Sequence, residues 1–218
     1  MQQRRMIVSI IGNAACCEKN CSPEDKMKWQ AAFDLGKTLV DNGFRVMTGG
    51  GRGVMRAAMA GAHASSKYRE GDTIAIAPTF DNNEVNDYAD IVIPTGLNFY
   101  RDVIMAASDV VVAVGGGAGT LHEISGAWKL KRMVIAYSNI EGWSSKVAGA
   151  PLDNSHTDMP KDIIYPVTNA NEVIDLIKRY AHKYNKCFSR LPIGYPEYLP
   201  KLKSNWVGPV SNAKIKKL

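Results

Sequence analysis

The sequence predicts a doubly wound α/β fold, a mainly parallel sheet with helices on both faces. Three observations carry that expectation. Short β-branched runs alternate with helical patterns along most of the chain, the arrangement of a parallel sheet covered by helices. Several runs are apolar throughout, as strands buried on both faces must be. Two glycine-rich turns each follow such a run and feed a helix, which puts both turns at the carboxyl edge of the sheet.

Seven strands are expected, at residues 6–11, 44–48, 73–77, 90–94, 109–114, 133–137 and 163–167. The first helix opens with Ser22 as N-cap, Pro23 at its first position and acidic Glu24 and Asp25 in its first turn, and it stops at Asn42 and Gly43. Further helices are expected at about 53–65, 100–107, 121–131 and 171–183. The long connection 139–162, with its Gly, Pro, Ser and Asp content, reads either as a loop folded over a site or as irregular surface. Residues 1–183 thus form a single Rossmann-like nucleotide-binding domain. Residues 184–218 lack periodicity and read as a basic C-terminal extension that wraps the domain or joins a partner subunit.

At 218 residues, 45% hydrophobic and 22% charged, the chain suits one domain with a substantial core. No apolar run reaches bilayer length, and the opening MQQRRMIVSIIG passes into a strand pattern without a small-residue cleavage site. A soluble, cytoplasmic protein with no membrane partner is expected. Cys16, Cys17 and Cys21 crowd one loop and Cys187 stands apart, a spacing that matches neither a zinc site nor a disulfide framework. They read as reduced thiols, and no metal is expected. The net charge of +6 owes much to Lys201, Lys203, Lys214, Lys216 and Lys217 near the C-terminus. Aromatic and basic residues do not alternate as a base-stacking platform requires, so nucleic acid is not an expected partner.

The strand at 44–48 runs into TGGGRGVMRAAMAGAH, and the strand at 109–114 runs into GGGAGTLHE. In an open α/β sheet, ligands bind at the edge where these turns lie. Glycine lets a ligand approach the backbone amides, and the first turn of a helix presents unpaired N–H donors and a partial positive charge. Two such loops imply a phosphorylated ligand. Candidates for phosphate or nucleotide binding are Gly49, Gly50, Gly51 and Gly53 in the first loop and Gly115, Gly116, Gly117, Gly119 and Thr120 in the second. Gly12 and Asn13, where the first strand ends, share that edge.

A dinucleotide dehydrogenase would carry G-x-G-x-x-G after the first strand and an acidic residue at the end of the second; this chain has GNAACC and Met47-Thr48 there. The Gly-Lys-Ser/Thr ending of a nucleotide kinase loop is absent too. Thr120 and Glu123 stand in T-x-x-E spacing, the capping box that satisfies backbone N–H groups at a helix start. A cap and a ligand-facing carboxylate are both open readings of Glu123.

The stretches GGGRGVMRAAMAGAH at 49–63, NFYRDVIMAASD at 98–109 and GGGAGTLHEISGAWKLKR at 115–132 resemble the Lonely Guy family and its relatives, once mislabelled lysine decarboxylases. The pairing of GGGxGxM with a later GGxGTxxE is much more specific than either glycine run alone, and the resemblance runs over about residues 6–180. It implies a Rossmann-like fold, a homodimer or higher homo-oligomer, and hydrolysis of a nucleoside 5′-monophosphate to free base and ribose 5-phosphate. It also implies that Arg101 and Glu123 are catalytic, with Gly116, Gly117, Gly119 and Thr120 around the phosphate. No cofactor is expected, since no lysine stands in a context suited to a Schiff base. The family's Pro-Gly-Gly reads Gly115-Gly116-Gly117 here, its Arg-Lys reads Arg101-Asp102, and the first loop is one residue shorter. These departures point to a less characterised branch.

Under that reading Glu123 stabilises the ribosyl cation or activates water, and Arg101 orients the substrate or offsets charge on the departing base. Arg101 could instead serve a salt bridge at a helix start, and His122 reads as surface or packing. The alternative function is a carrier or sensor that holds a phosphorylated nucleotide or pterin without turnover, as in molybdenum cofactor carriers. The change to Asp102 favours it.

Overall fold

The computed structural model describes residues 4–17, 20–157 and 159–184. The expected extension lies, past Tyr184 itself, outside the described residues, as does Cys187. The strands are β1 (Ile7–Gly12), β2 (Arg45–Thr48), β3 (Thr73–Ala77), β4 (Ile91–Pro94), β5 (Val110–Val114), β6 (Met133–Tyr137) and β7 (Tyr165–Val167). They form one sheet in the order β4-β3-β2-β1-β5-β6-β7, parallel at every pairing. The helices are α1 (Pro23–Asp41), α2 (Val54–His63), α3 (Asp102–Ala106), α4 (Ala118–Lys129), α5 (Trp143–Val147) and α6 (Ala170–Tyr184), with a 3₁₀ turn at Asn98–Arg101.

Alternation along the strands divides the core into two layers. Val110, Val112 and Val114 of β5 pack with Leu35 and Leu39 of α1, Ala57 and Ala58 of α2 and Ile174 and Ile177 of α6. Val111 and Ala113, pointing the other way, pack with Met105 of α3 and Ile124 and Trp128 of α4. Helices therefore cover both faces, which is why β5 and its neighbours carry no polar side. The start of α1 follows the expected capping: Ser22 Oγ accepts from Asp25 N at 3.1 Å, with Pro23 in the first turn.

Two elements differ from expectation. Helix α4 begins at Ala118, with extended Gly117 as its N-cap residue and no side-chain cap. Thr120 and Glu123 therefore both lie inside the helix and form no capping box: the backbone at Gly117 turns into the helix three residues before the threonine. The connection 139–162 contains α5, whose start is pinned by Ser144. That hydroxyl accepts from Gly115 N at 2.8 Å and donates to Tyr137 O at 2.8 Å. Five residues are too few for periodicity to reveal such a helix.

Candidate functional site

From β1 the chain winds outward through β2 and β3 to β4, then crosses back to β5 on the other side of β1. The connections leaving β1 and β5 thus diverge to opposite faces, opening a crevice at their carboxyl ends, where ligands of such sheets bind. A cavity of about 360 Å³ occupies it. Of the expected site residues, Gly12, Asn13, Gly49, Arg101, Gly117, Gly119, Thr120 and Glu123 line it, joined by Asp102. Gly50, Gly51 and Gly53 face a separate cavity of about 590 Å³ beside Arg52, Arg56, Cys16 and Cys17.

The amides of Gly115 and Gly116 are engaged in holding the loop itself, donating to Ser144 Oγ at 2.8 Å and Asn13 Oδ1 at 2.6 Å. Gly116 has φ of +97°, and a Cβ there would meet Thr120 Oγ1 at 2.2 Å, so the turn admits no side chain. The donors left for an anion are those at the start of α4. Its first helical bond runs from Leu121 N to Gly117 O at 3.1 Å, leaving the N–H groups of Ala118, Gly119 and Thr120 without intrahelical acceptors. Asn13 serves the site twice, since its carbonyl also accepts from Val54 N at 2.9 Å and ties the start of α2 to the β1 edge.

Arg101 ends the 3₁₀ turn, and its guanidinium donates to Ile76 O at 3.0 Å at the end of β3. A Cβ on Gly49 would lie 2.0 Å from its Nη1. The first glycine loop therefore seats the arginine, and Arg101 makes no ion pair with Asp102.

Asp102, on the next element, is buried and accepts from Nδ1 of exposed His122 at 2.9 Å. Glu123 faces the same cavity. Burial, and then the Asp102 carboxylate, push its acidity up to about 8, against a smaller opposing effect of Arg101. The shift favours the protonated form of Glu123 at neutral pH, a hydrogen-bond donor and acceptor without charge.

Sequence reasoning missed the Asp102–His122 pair. The partners are twenty positions apart on different helices, and no local pattern signals their meeting. His122, read as surface or packing, is exposed yet tied to a carboxylate that lines the cavity.

Among the thiols, Cys16 is buried, and Cys17 and Cys21 are partly so, all free. Burial raises Cys16 to about 11, and its contact with Cys21 raises Cys17 similarly, so neither carries appreciable thiolate at neutral pH. Among the described residues, no group of three or more metal-binding side chains comes together, and no helix is long and apolar enough to cross a membrane.

Known proteins share this architecture. An uncharacterized protein of Archaeoglobus fulgidus is 34% identical over 132 residues, 60% of this chain and 79% of that protein. The molybdenum cofactor binding protein of the phototrophic bacterium Rippkaea orientalis is 29% identical, with a TM-score of 0.64 over 82% of this chain and 98% of its own. The molybdenum cofactor carrier protein of Chlamydomonas reinhardtii is 29% identical, with a TM-score of 0.60 over 81% of this chain and 98% of its own. A family model matches residues 5–171, and the family it describes is the SLOG cluster4 family, a coarser placement than the Lonely Guy resemblance of the two glycine motifs. The chain belongs to the SLOG cluster4 family.

Proposed function

We propose that this protein binds and carries a phosphorylated small molecule of the nucleotide or pterin class without breaking it down. The observation that carries the reading is a single cavity in which Arg101, Asp102 and Glu123 face an uncapped helix start, with the acidity of Glu123 pushed up by burial and by Asp102. The N–H groups of Ala118, Gly119 and Thr120 suit a phosphate, and Arg101 adds a fixed positive charge. A neutral carboxyl suits hydrogen bonding to a ligand's hydroxyl or N–H groups. It is poorly suited to stabilising a ribosyl cation, which requires the ionised form. The likeness to the two molybdenum cofactor proteins supports the carrier reading and the pterin class.

A phosphoribohydrolase is the second reading, favoured by the meeting of Arg101 and Glu123 in one cavity. Its activity would rise as Glu123 ionises, with a midpoint at about 8. One experiment separates the two. The purified protein is incubated with nucleoside monophosphates and a phosphorylated pterin, ligand binding is measured by calorimetry, and free base is sought by chromatography. Binding without base release supports the carrier. Base release that vanishes in Glu123→Gln supports the hydrolase, and absence of binding by any phosphorylated ligand refutes both.

We also propose that the protein acts as a homodimer. Phe80, Ile91, Ile93, Leu97, Phe99, Tyr100, Val103 and Ile104 are all exposed, on or beside edge strand β4, the 3₁₀ turn and α3. Apolar clusters of this kind mark interfaces. A second copy would cover the edge of the sheet at β4, which no helix among the described residues pairs with or protects.

A further inference from the structure

The loop between β2 and α2 has two sides. Gly49 lines the cavity at the start of α4, whereas Gly50, Gly51 and Gly53 line the larger cavity of about 590 Å³. The segment after β1 divides in the same way, with Ala14 and Ala15 on the first cavity and Cys16 and Cys17 on the second. Consecutive Cα atoms are about 3.8 Å apart, so the two cavities abut along both segments. Met55 belongs to the lining of the first, and its methyl group lies against Gly51 of the second, where a Cβ would meet Met55 Cε at 2.7 Å.

The larger cavity has a fixed wall. Asn86 N donates to Gly50 O at 2.7 Å, and the Asn86 side-chain amide donates to the carbonyls of Gly50 and Gly51 at 3.0 Å each, which clamps residues 84–87 to the glycine loop. Two positive side chains, Arg52 and Arg56, share the lining with two negative ones, Glu84 and Asp87. Arg56 is paired with Asp87 at 3.2 Å, while Arg52 and Glu84 form no hydrogen bond or ion pair with another described residue. Balanced charges give little net pull on an anion. They suit a neutral group that presents donors and acceptors side by side, and Trp29 and Val85 add apolar surface for its faces.

We propose that this second cavity takes the heterocycle of the ligand, and that the heterocycle carries the 2-amino-4-oxopyrimidine ring common to guanine and pterin. The proposal rests on the reading of the α4 start as a phosphate site, and it narrows the ligand of that site. Such a ring presents two parallel N–H donors, one from the ring and one from the amino group, which a carboxylate accepts as a pair. Glu84 supplies that carboxylate. The ring's carbonyl oxygen accepts from a guanidinium, the contact by which arginine reads guanine, and Arg52 supplies it. Adenine would turn a ring acceptor toward the carboxylate and an amino donor toward the guanidinium, reversing both contacts.

The test uses the full chain and calorimetry with guanosine 5′-monophosphate, adenosine 5′-monophosphate, guanosine and inorganic phosphate. The guanine nucleotide should bind about tenfold or more tighter than the adenine nucleotide. Glu84→Gln should abolish that preference, and Arg52→Ala should weaken the guanine nucleotide by about tenfold. Both side chains are exposed, so the variants keep the fold, and both should leave the affinity for inorganic phosphate unaltered. Equal affinity of the wild type for the two nucleotides overturns the proposal, as does a guanine preference that survives both substitutions. Phosphate that binds with no affinity added by guanosine overturns the proposal alone. Guanosine that binds in a Glu84-dependent manner while phosphate does not overturns the phosphate reading of α4 and leaves the heterocycle cavity standing. No binding of any of the four overturns both.

Discussion

Glu123→Gln is the substitution that decides between a structural and a ligand-facing glutamate. In the native chain Glu123 takes up its proton at about 8, against 4.5 for the ordinary side chain. Between these values the folded protein holds a proton that the unfolded chain has released, so stability falls as pH rises, and below 4.5 both states are protonated and the penalty vanishes. At 1.36 kcal/mol per pH interval of one, the penalty is roughly 3 kcal/mol at pH 7 and levels off at roughly 4–5 kcal/mol above pH 8. Glutamine copies the shape and hydrogen-bonding capacity of the protonated acid and never ionises. The variant should therefore be more stable than the wild type by roughly 3 kcal/mol at pH 7, a rise of about 6–12 °C in Tm for a domain of this size. Urea unfolding at pH 4.5, 7 and 9 should show the advantage growing with pH. A glutamate serving as a helix cap would give the opposite result, since its loss would destabilise the protein at neutral pH. A variant no more stable than the wild type at pH 9 would refute the assignment of Glu123 as a partly buried carboxyl whose acidity is pushed up by its surroundings.

Gly49→Ala drives a Cβ into the Arg101 guanidinium and should cost the arginine its bond to Ile76 O. Because the obstructed atoms end a flexible side chain, Tm should change little, while ligand affinity measured by calorimetry should fall about 10- to 100-fold, the range of one hydrogen bond made by a charged group. Asp162 sits buried far from this edge, accepting from His156 Nδ1 at 2.7 Å and from the Tyr184 hydroxyl. Asp162→Ala should lower stability by about 3–5 kcal/mol through the stranded partners, readable in urea unfolding, with ligand affinity unaltered once folded. Val103→Glu, placed on the exposed apolar cluster, should shift the mass measured by light scattering from dimer to monomer; an unchanged mass would move the interface elsewhere.

Much of the frame was legible in the chain. Apolar runs such as VVVAV and MVIAY can only be satisfied between two helix layers, which is a property of their composition and so readable locally. Ser22, Pro23 and Asn42-Gly43 punctuated α1 for the same reason, since capping is decided within a few residues. The two glycine loops named one edge of the sheet before any geometry was known, and residues from both, with Arg101, line the cavity there.

Tertiary structure decided what each residue on that edge does. T-x-x-E spacing suggested a cap at Thr120, but the conformation of Gly117 starts α4 at Ala118 and leaves Glu123 facing the cavity. Three glycines in a row gave no sign that the amides of Gly115 and Gly116 would be taken by Ser144 and Asn13, residues 29 and 103 positions away. Nor could the sequence announce that Asp102 would be buried against His122, or that burial and then Asp102 would push up the acidity of Glu123. Hydrophobic pattern and turn chemistry act over neighbouring residues and are written in the sequence. Burial, field and hydrogen-bond partnership depend on which distant residues the fold brings together, and these fix the chemistry of the site.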